Sequence, residues 1–468
     1  ARAEARAADE RRARGEPLPP LHGVPVTVKE ALDLAGTPST FGIPALAQAN
    51  AATDALYVAR MRQAGAIVLG KTNAAQALLY IESDNPVYGR TNNPWNQERS
   101  SGGSSGGEGA IIAAGGAPLG LGTDIGGSLR VPATFNGIAS FKPTSGRTPD
   151  PGRYSIPLGQ RAVVSQVGAL ARTSEDVALA IEILNGGRSP VVEPPMPLGD
   201  PAEVDVTKLR IAYYTDDGTL AVAPAVRRAV VEAAGMLAGR GAQVMEWRPP
   251  DVLHAVDIYY GLLSSDGGAT LASVLRSGKK DPRIAQLLTL ASAPAPMLTL
   301  TRGLLRATGQ RRTLEVARNF GQRRTRDYWR LVEAQMAYQQ RFQEALDGDD
   351  GGPFDVIICP ACAVPAIPHG VSKDLLTAGG YALLYNLLGY PTGVVPVTRV
   401  HADETSPRKR SRDRVERAAR KAERGSVDLP IGVQVVARPW REHVALAAMR
   451  AIEADARKRD DFPISPPL

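Results

Sequence analysis

The stretch from Ser100 to Arg130, SSGGSSGGEGAIIAAGGAPLGLGTDIGGSLR, constrains this chain more than any other. It holds two serines set among glycine pairs, Ser104 and Ser128, with an apolar, small-residue segment between them. Glycine lacks a Cβ and reaches backbone dihedrals closed to other residues, so a serine bracketed by glycines sits where another molecule can approach the backbone closely. A flexible Gly/Ser linker is the plain alternative, but a linker is not followed by an Ala/Ile-rich helical pattern such as Gly109 to Ala114. Phosphate cradles fit no better. A P-loop needs a lysine after its glycines, and the run from Gly120 to Gly126 misses the dinucleotide G-x-G-x-x-G spacing by one residue.

A serine nucleophile needs a base, and the common partner is histidine. The chain has five histidines, His22, His254, His369, His401 and His443, none in a comparable glycine-rich or polar setting. A lysine is the other choice, and Lys29 is the candidate. The alternation of Val24, Val26 and Val28 reads as a buried strand that carries the ammonium at its end. Burial among apolar groups disfavours the charged form of a lysine and can release its proton near neutral pH. The competing reading is a lysine that snorkels from a strand end to solvent.

The remaining chain reads as α/β. A helix is expected from Thr53 to Gly65 and a short buried strand from Ala66 to Gly70, so strand, helix and strand alternate around a largely buried sheet. The composition, 43% hydrophobic and 22% charged over 468 residues, is globular with ample length for a large core. No apolar run approaches the eighteen or more residues of a membrane-spanning helix, and no signal peptide is visible. Residues 1–20 read as the remnant of a longer amino-terminal helix. Cys359 and Cys362 form a C-x-x-C pair, but a zinc site would need two more ligands and no second pair exists. Both thiols are therefore expected reduced at a strand end, and so few cysteines fit a cytoplasmic home.

Three segments together carry a family resemblance: Gly23-Val-Pro-Val-Thr-Val-Lys29-Glu30, Gly102-Gly103-Ser104-Ser105-Gly106-Gly107 and Gly122-Thr-Asp-Ile-Gly-Gly-Ser128-Leu-Arg130. In this order and at this spacing they resemble the amidase signature family, whose catalytic unit is Ser-Ser-Lys. The resemblance implies a single domain over residues 21–468 with a central twisted mixed β-sheet surrounded by α-helices, the signature core lying at about residues 21–182. It implies Ser128 as the nucleophile that forms an acyl-enzyme, Ser104 as the bridging serine after a cis peptide at Gly103, and Lys29 as the base. The backbone N–H groups of Ile125, Gly126, Gly127 and Ser128 would form the oxyanion hole. Asp124 and Arg130 are expected to brace the nucleophile loop, with a surface ion pair as the alternative. Ser105 is read as the cap of the following helix, with Glu108 three residues on completing a capping box, in preference to an aid to Ser104. No metal or organic cofactor is implied.

Further segments, among them Asn85 to Trp95, Ser265 to Gly268, Leu384 to Thr398 and Leu429 to Gln434, resemble the fatty acid amide hydrolase branch of the family. The implied substrate is a small-molecule carboxylic amide, a fatty acid or other N-acyl amide, cleaved to acid and amine or ammonia. The same resemblance gives Leu78 and Leu79 as acyl-pocket residues, although plain core is the alternative. An acyl-channel and cap region is expected at about 250–320. Within it, residues 284–308 are apolar, interrupted by prolines and followed by arginines, and two readings stand: peripheral membrane contact or an ordinary packed helix. Nine Lys/Arg against three Asp/Glu between Arg408 and Arg424 read as a solvated helical insert at about 402–426. Without interleaved aromatics this run does not mark a nucleic-acid binder. An amidase of short, aryl or peptide amides, an amidotransferase A-type subunit that releases ammonia from glutamine, and a non-catalytic membrane-associated binding protein are the rival functions. A homodimer stays open.

Overall fold

The computed structural model describes residues 1–149, 159–186, 196–275, 278–348, 352–405 and 408–467. Ten strands form one mixed sheet: β1 (Pro25–Lys29), β2 (Ile67–Thr72), β3 (Leu119–Asp124), β4 (Ala139–Lys142), β5 (Gln166–Ala171), β6 (Arg210–Tyr213), β7 (Gln243–Glu246), β8 (Val356–Pro360), β9 (Thr392–Arg399) and β10 (Pro430–Ala437). Their spatial order is β7-β6-β8-β10-β9-β4-β5-β3-β1-β2. Parallel pairs occupy the two ends, β2, β1 and β3 at one and β7, β6 and β8 at the other, while the middle pairs are antiparallel. The central strands β3, β4, β5, β8 and β10 are buried along their whole length, as strands covered by helices on both faces must be.

This is the α/β single-domain architecture expected. The helix foreseen at Thr53 to Gly65 runs Leu56–Gln63, and the strand foreseen at Ala66 to Gly70 runs Ile67–Thr72. Close strand packing explains several glycines. On β5, a Cβ at Gly168 would stand 2.1 Å from the Phe141 carbonyl oxygen of β4.

Two sequence readings are corrected and one is refined. Residues 284–308 are not one helix but parts of two, Pro282–Ala291 and Ala295–Ala307, bent by 115° at the Ala-Pro break. The basic run is helical and keeps seven of its nine Lys/Arg exposed, while the opposite face packs. Its helix, Arg414–Glu423, buries Val415, Ala418, Ala419 and Ala422, and Arg408 donates to Glu416 and Glu423. Ser105 stands at the N-cap of helix Gly106–Ala113 without a side-chain cap bond, and no capping box forms. Cys359 is the penultimate residue of β8 and Cys362 follows the strand, both buried free thiols that burial raises to about 11.

Candidate active site

The parallel ends of β1 and β3 bring the sequence-predicted residues together. Lys29 closes β1 and is 0% exposed. Its Nζ donates to Ser104 Oγ at 2.7 Å and to Thr123 Oγ1, on neighbouring β3, at 2.8 Å. Ser104 is buried, and the Gly103–Ser104 peptide is cis. Gly103 permits this loop to lie against residues 80–82, because a Cβ there would come within 2.7 Å of the Glu82 nitrogen and 2.8 Å of the Tyr80 carbonyl. Ser83 Oγ and the Ala75 N–H both donate to the Ser104 carbonyl and fix the loop from outside.

The loop after β3 carries Ser128, which is half-buried and lines a cleft together with Gly103, Ile125 and Gly126. Ser128 and Ser104 are joined through backbone neighbours, the Ser105 N–H donating to the Ser128 carbonyl at 3.3 Å. Among the hydrogen bonds of the described residues, none joins the two serine hydroxyls directly.

Asp124 and Arg130 form a fully buried ion pair, not a surface one. Arg130 Nε and Nη2 donate to the two carboxylate oxygens at 3.0 and 2.9 Å. The same carboxylate accepts the N–H groups of Gly127 at 2.8 Å and Leu129 at 3.0 Å, which folds the loop around it. Burial alone would raise the Asp124 carboxyl, yet Arg130 and Asn386 hold it well below the usual carboxylate range. The other Arg130 donors reach the Ala382 carbonyl and Gln434, both at 2.7 Å, and Asn386 Oδ1 at 2.5 Å. Of the four N–H groups foreseen as an oxyanion hole, those of Ile125, Gly126, Gly127 and Ser128, that of Gly127 donates to Asp124.

Leu78 and Leu79 line the same cleft, but from a single 3-10 turn, Gln76–Leu78, in which Ala77 and Leu78 take positive φ, and not from an α-helix. Leu271, Leu287, Phe320 and Leu383 continue the apolar wall. The cleft holds a cavity of about 180 Å³ and opens to solvent.

Sequence reasoning missed three contributors. Thr123, one residue before Asp124, is the second acceptor of Lys29, and its place inside the glycine motif was an available signal. Tyr259, on helix Val252–Leu263, donates its hydroxyl to the Ile125 carbonyl at 3.0 Å and so pins the Ser128 loop from the far wall. Ser372 lines the cleft with a buried hydroxyl that has no hydrogen-bond partner among the described residues. No local pattern announces either Tyr259 or Ser372.

Comparison with known proteins agrees with this architecture. Residues 1–446 match the family described as Amidase. Fatty-acid amide hydrolase 1 of Sus scrofa is 35% identical over 441 residues, which is 92% of this chain and 75% of that protein. Fatty acid amide hydrolase 1 of Caenorhabditis elegans is 34% identical over 450 residues, 93% of this chain and 77% of that one. A solved structure of a fatty acid amide hydrolase superposes with a TM-score of 0.80 at 24% identity, covering 97% of this chain and 76% of its own, and so shares the fold.

Proposed function

Because this chain belongs to the amidase signature family and is a hydrolase of amide C–N bonds, we propose that it cleaves N-acyl amides with long apolar acyl groups through Lys29, Ser104 and Ser128. The observation that carries this reading is the buried 2.7 Å contact of Lys29 Nζ with Ser104 Oγ beside an apolar cleft that Ser128 also lines. Ser128 Oγ attacks the amide carbonyl, its proton passes to Ser104 Oγ, and the Ser104 proton passes to neutral Lys29. The developing oxyanion meets the N–H groups of Ile125, Gly126 and Ser128, held in place before the reaction begins. Collapse of the tetrahedral intermediate breaks the C–N bond, and the relay returns its proton to the leaving nitrogen. Water, deprotonated by the same relay, then releases the acid and frees Ser128. Protonating a poor leaving group is what opens amides, and not only esters, to this site.

The long acyl group follows from the cleft wall, in which Leu78, Leu79, Leu271, Leu287, Phe320 and Leu383 offer apolar surface with few competing polar groups. Outside the cleft, Met297, Leu300 and Leu304 stand exposed on helix Ala295–Ala307 beside Arg302 and Arg306, Leu300 at 75%. An apolar stripe flanked by arginines suits contact with an anionic bilayer from which such a substrate is drawn.

A panel of primary fatty amides, N-alkyl fatty amides, aryl amides and glutamine tests the substrate. The expected result is kcat/KM rising with acyl length. Preference for short or aryl amides, or glutamine turnover only with an added partner protein, would overturn it.

A further inference from the structure

Glu108, in the first turn of helix Gly106–Ala113, is 0% exposed. Its Oε2 accepts from Thr27 Oγ1 and its Oε1 from Thr72 Oγ1, each at 2.6 Å. Both threonines belong to the strands around Lys29. Thr27 precedes Lys29 by two residues on β1, which puts the two side chains on one face of the strand, and Thr72 is the register partner of Lys29 on β2. The third strand contributes an absence: Gly120 of β3 pairs with Thr27, and a Cβ there would fall 1.9 Å from Glu108 Oε2. Three adjacent strands thus give two donors and one missing methyl to house a single carboxylate on the side of the sheet where Lys29 projects.

The other charged groups on the elements around this helix are engaged elsewhere. Asp124 of β3 pairs with Arg130. Lys71 of β2 donates to the Pro38 carbonyl and Ser39. Glu30, just after β1, accepts from the N–H groups of Thr40 and Phe41. Strand β5 brings no titratable side chain. Lys29 is left as the charged group facing Glu108, and burial raises that carboxyl to about 7 against the bonds from Thr27 and Thr72 and the charge of Lys29.

We propose that Glu108 is a positioning residue that sets the proton affinity of Lys29, so that the pair and not the lysine alone governs how much free base is present at neutral pH. This rests on the reading of Lys29 as the general base. A carboxylate near an ammonium favours the charged lysine, and a neutral carboxyl withdraws that support. The two groups then titrate together, and the pH dependence belongs to the pair.

The test is the pH profile of kcat/KM on one amide, with the rate of fluorophosphonate labelling of Ser128 as a second readout, for wild type, Glu108→Gln and Thr72→Val. Removing the negative charge lowers the proton affinity of Lys29, so the acid limb of the Glu108→Gln profile should move to lower pH by about one unit. Thr72→Val keeps the carboxyl but removes a donor to its charged form, and should move the limb in the same direction by less. This milder variant carries the test if Glu108→Gln does not fold. A wild-type acid limb that neither substitution displaces, in folded protein, overturns the role of Glu108. A wild-type profile with no acid limb would instead overturn Lys29 as the base, and the proposal with it.

Discussion

Lys29 Nζ and Ser104 Oγ, 75 residues apart in the chain, meet at 2.7 Å with both side chains buried. The contact requires that β1 end where the serine loop turns back on β3, so the chemistry is built into the sheet.

Replacing Ser128 with alanine should lower turnover by on the order of 10⁶-fold, the loss expected when a nucleophile is removed from a cooperating unit. Lys29→Ala should reduce amide hydrolysis far more than hydrolysis of the matching ester, because only the amide needs its leaving group protonated. Parallel assays on an amide and ester pair check this, and equal losses would count against the relay.

Arg130→Met should destabilise the fold by about 3–5 kcal/mol, since it leaves Asp124 as an unpaired buried charge. Denaturant unfolding of the variant, with Asp124→Asn/Arg130→Met as the comparison, measures it. The double variant should recover part of the loss.

Tyr259→Phe removes the bond to the Ile125 carbonyl while keeping the ring. A hydrogen bond of about 1 kcal/mol corresponds to a roughly fivefold fall in kcat, with KM nearly unchanged because the cleft wall is intact. Gly126→Ala should cost more, as its Cβ would stand 2.5 Å from the Tyr259 hydroxyl. The Phe variant should relieve part of that cost, and steady-state kinetics on the double-mutant cycle reads the coupling.

Asp217 gives a pH dependence unrelated to catalysis. It is buried, its Oδ1 accepts from the Thr219 N–H and hydroxyl, and burial raises its carboxyl to about 7 from an ordinary 3.8. Between these values the native state holds one more proton than the unfolded chain. Stability should therefore fall as pH rises through this window, by up to about 1.4 kcal/mol per pH unit from this group. Asp217→Asn should flatten the trend in denaturation midpoints measured from pH 4 to 8.

Narrowing the cleft with Leu271→Trp should lower kcat/KM for long-chain amides by about tenfold and leave short-chain amides nearly unaffected. A chain-length series on the variant decides it.

Sequence made legible whatever depended on local chemistry. The glycine-bracketed serines, the valine alternation before Lys29 and the Asp124/Arg130 loop each declare themselves within a few residues, and the structure gathers them at the ends of β1 and β3. What failed depended on distant neighbours. Ser105 and Glu108 have capping-box spacing, but the carboxylate is taken by Thr27, 81 residues away, in a space that Gly120 leaves open. Tyr259 reaches the Ser128 loop across 134 residues, and nothing near it in sequence marks the contact. The apolar segment at 284–308 shows its composition but not its bend, because a proline breaks a helix without fixing the direction in which the chain resumes.

Arg130 is held by Gln434, 304 residues further on, and by the carbonyl of Ala382. During synthesis, the turn that presents Ser128 is made long before Gln434 and lacks this anchor until that residue has left the ribosome. A nascent chain stopped short of Gln434 would carry Lys29, Ser104 and Ser128 and still lack a partner that holds Arg130 in place.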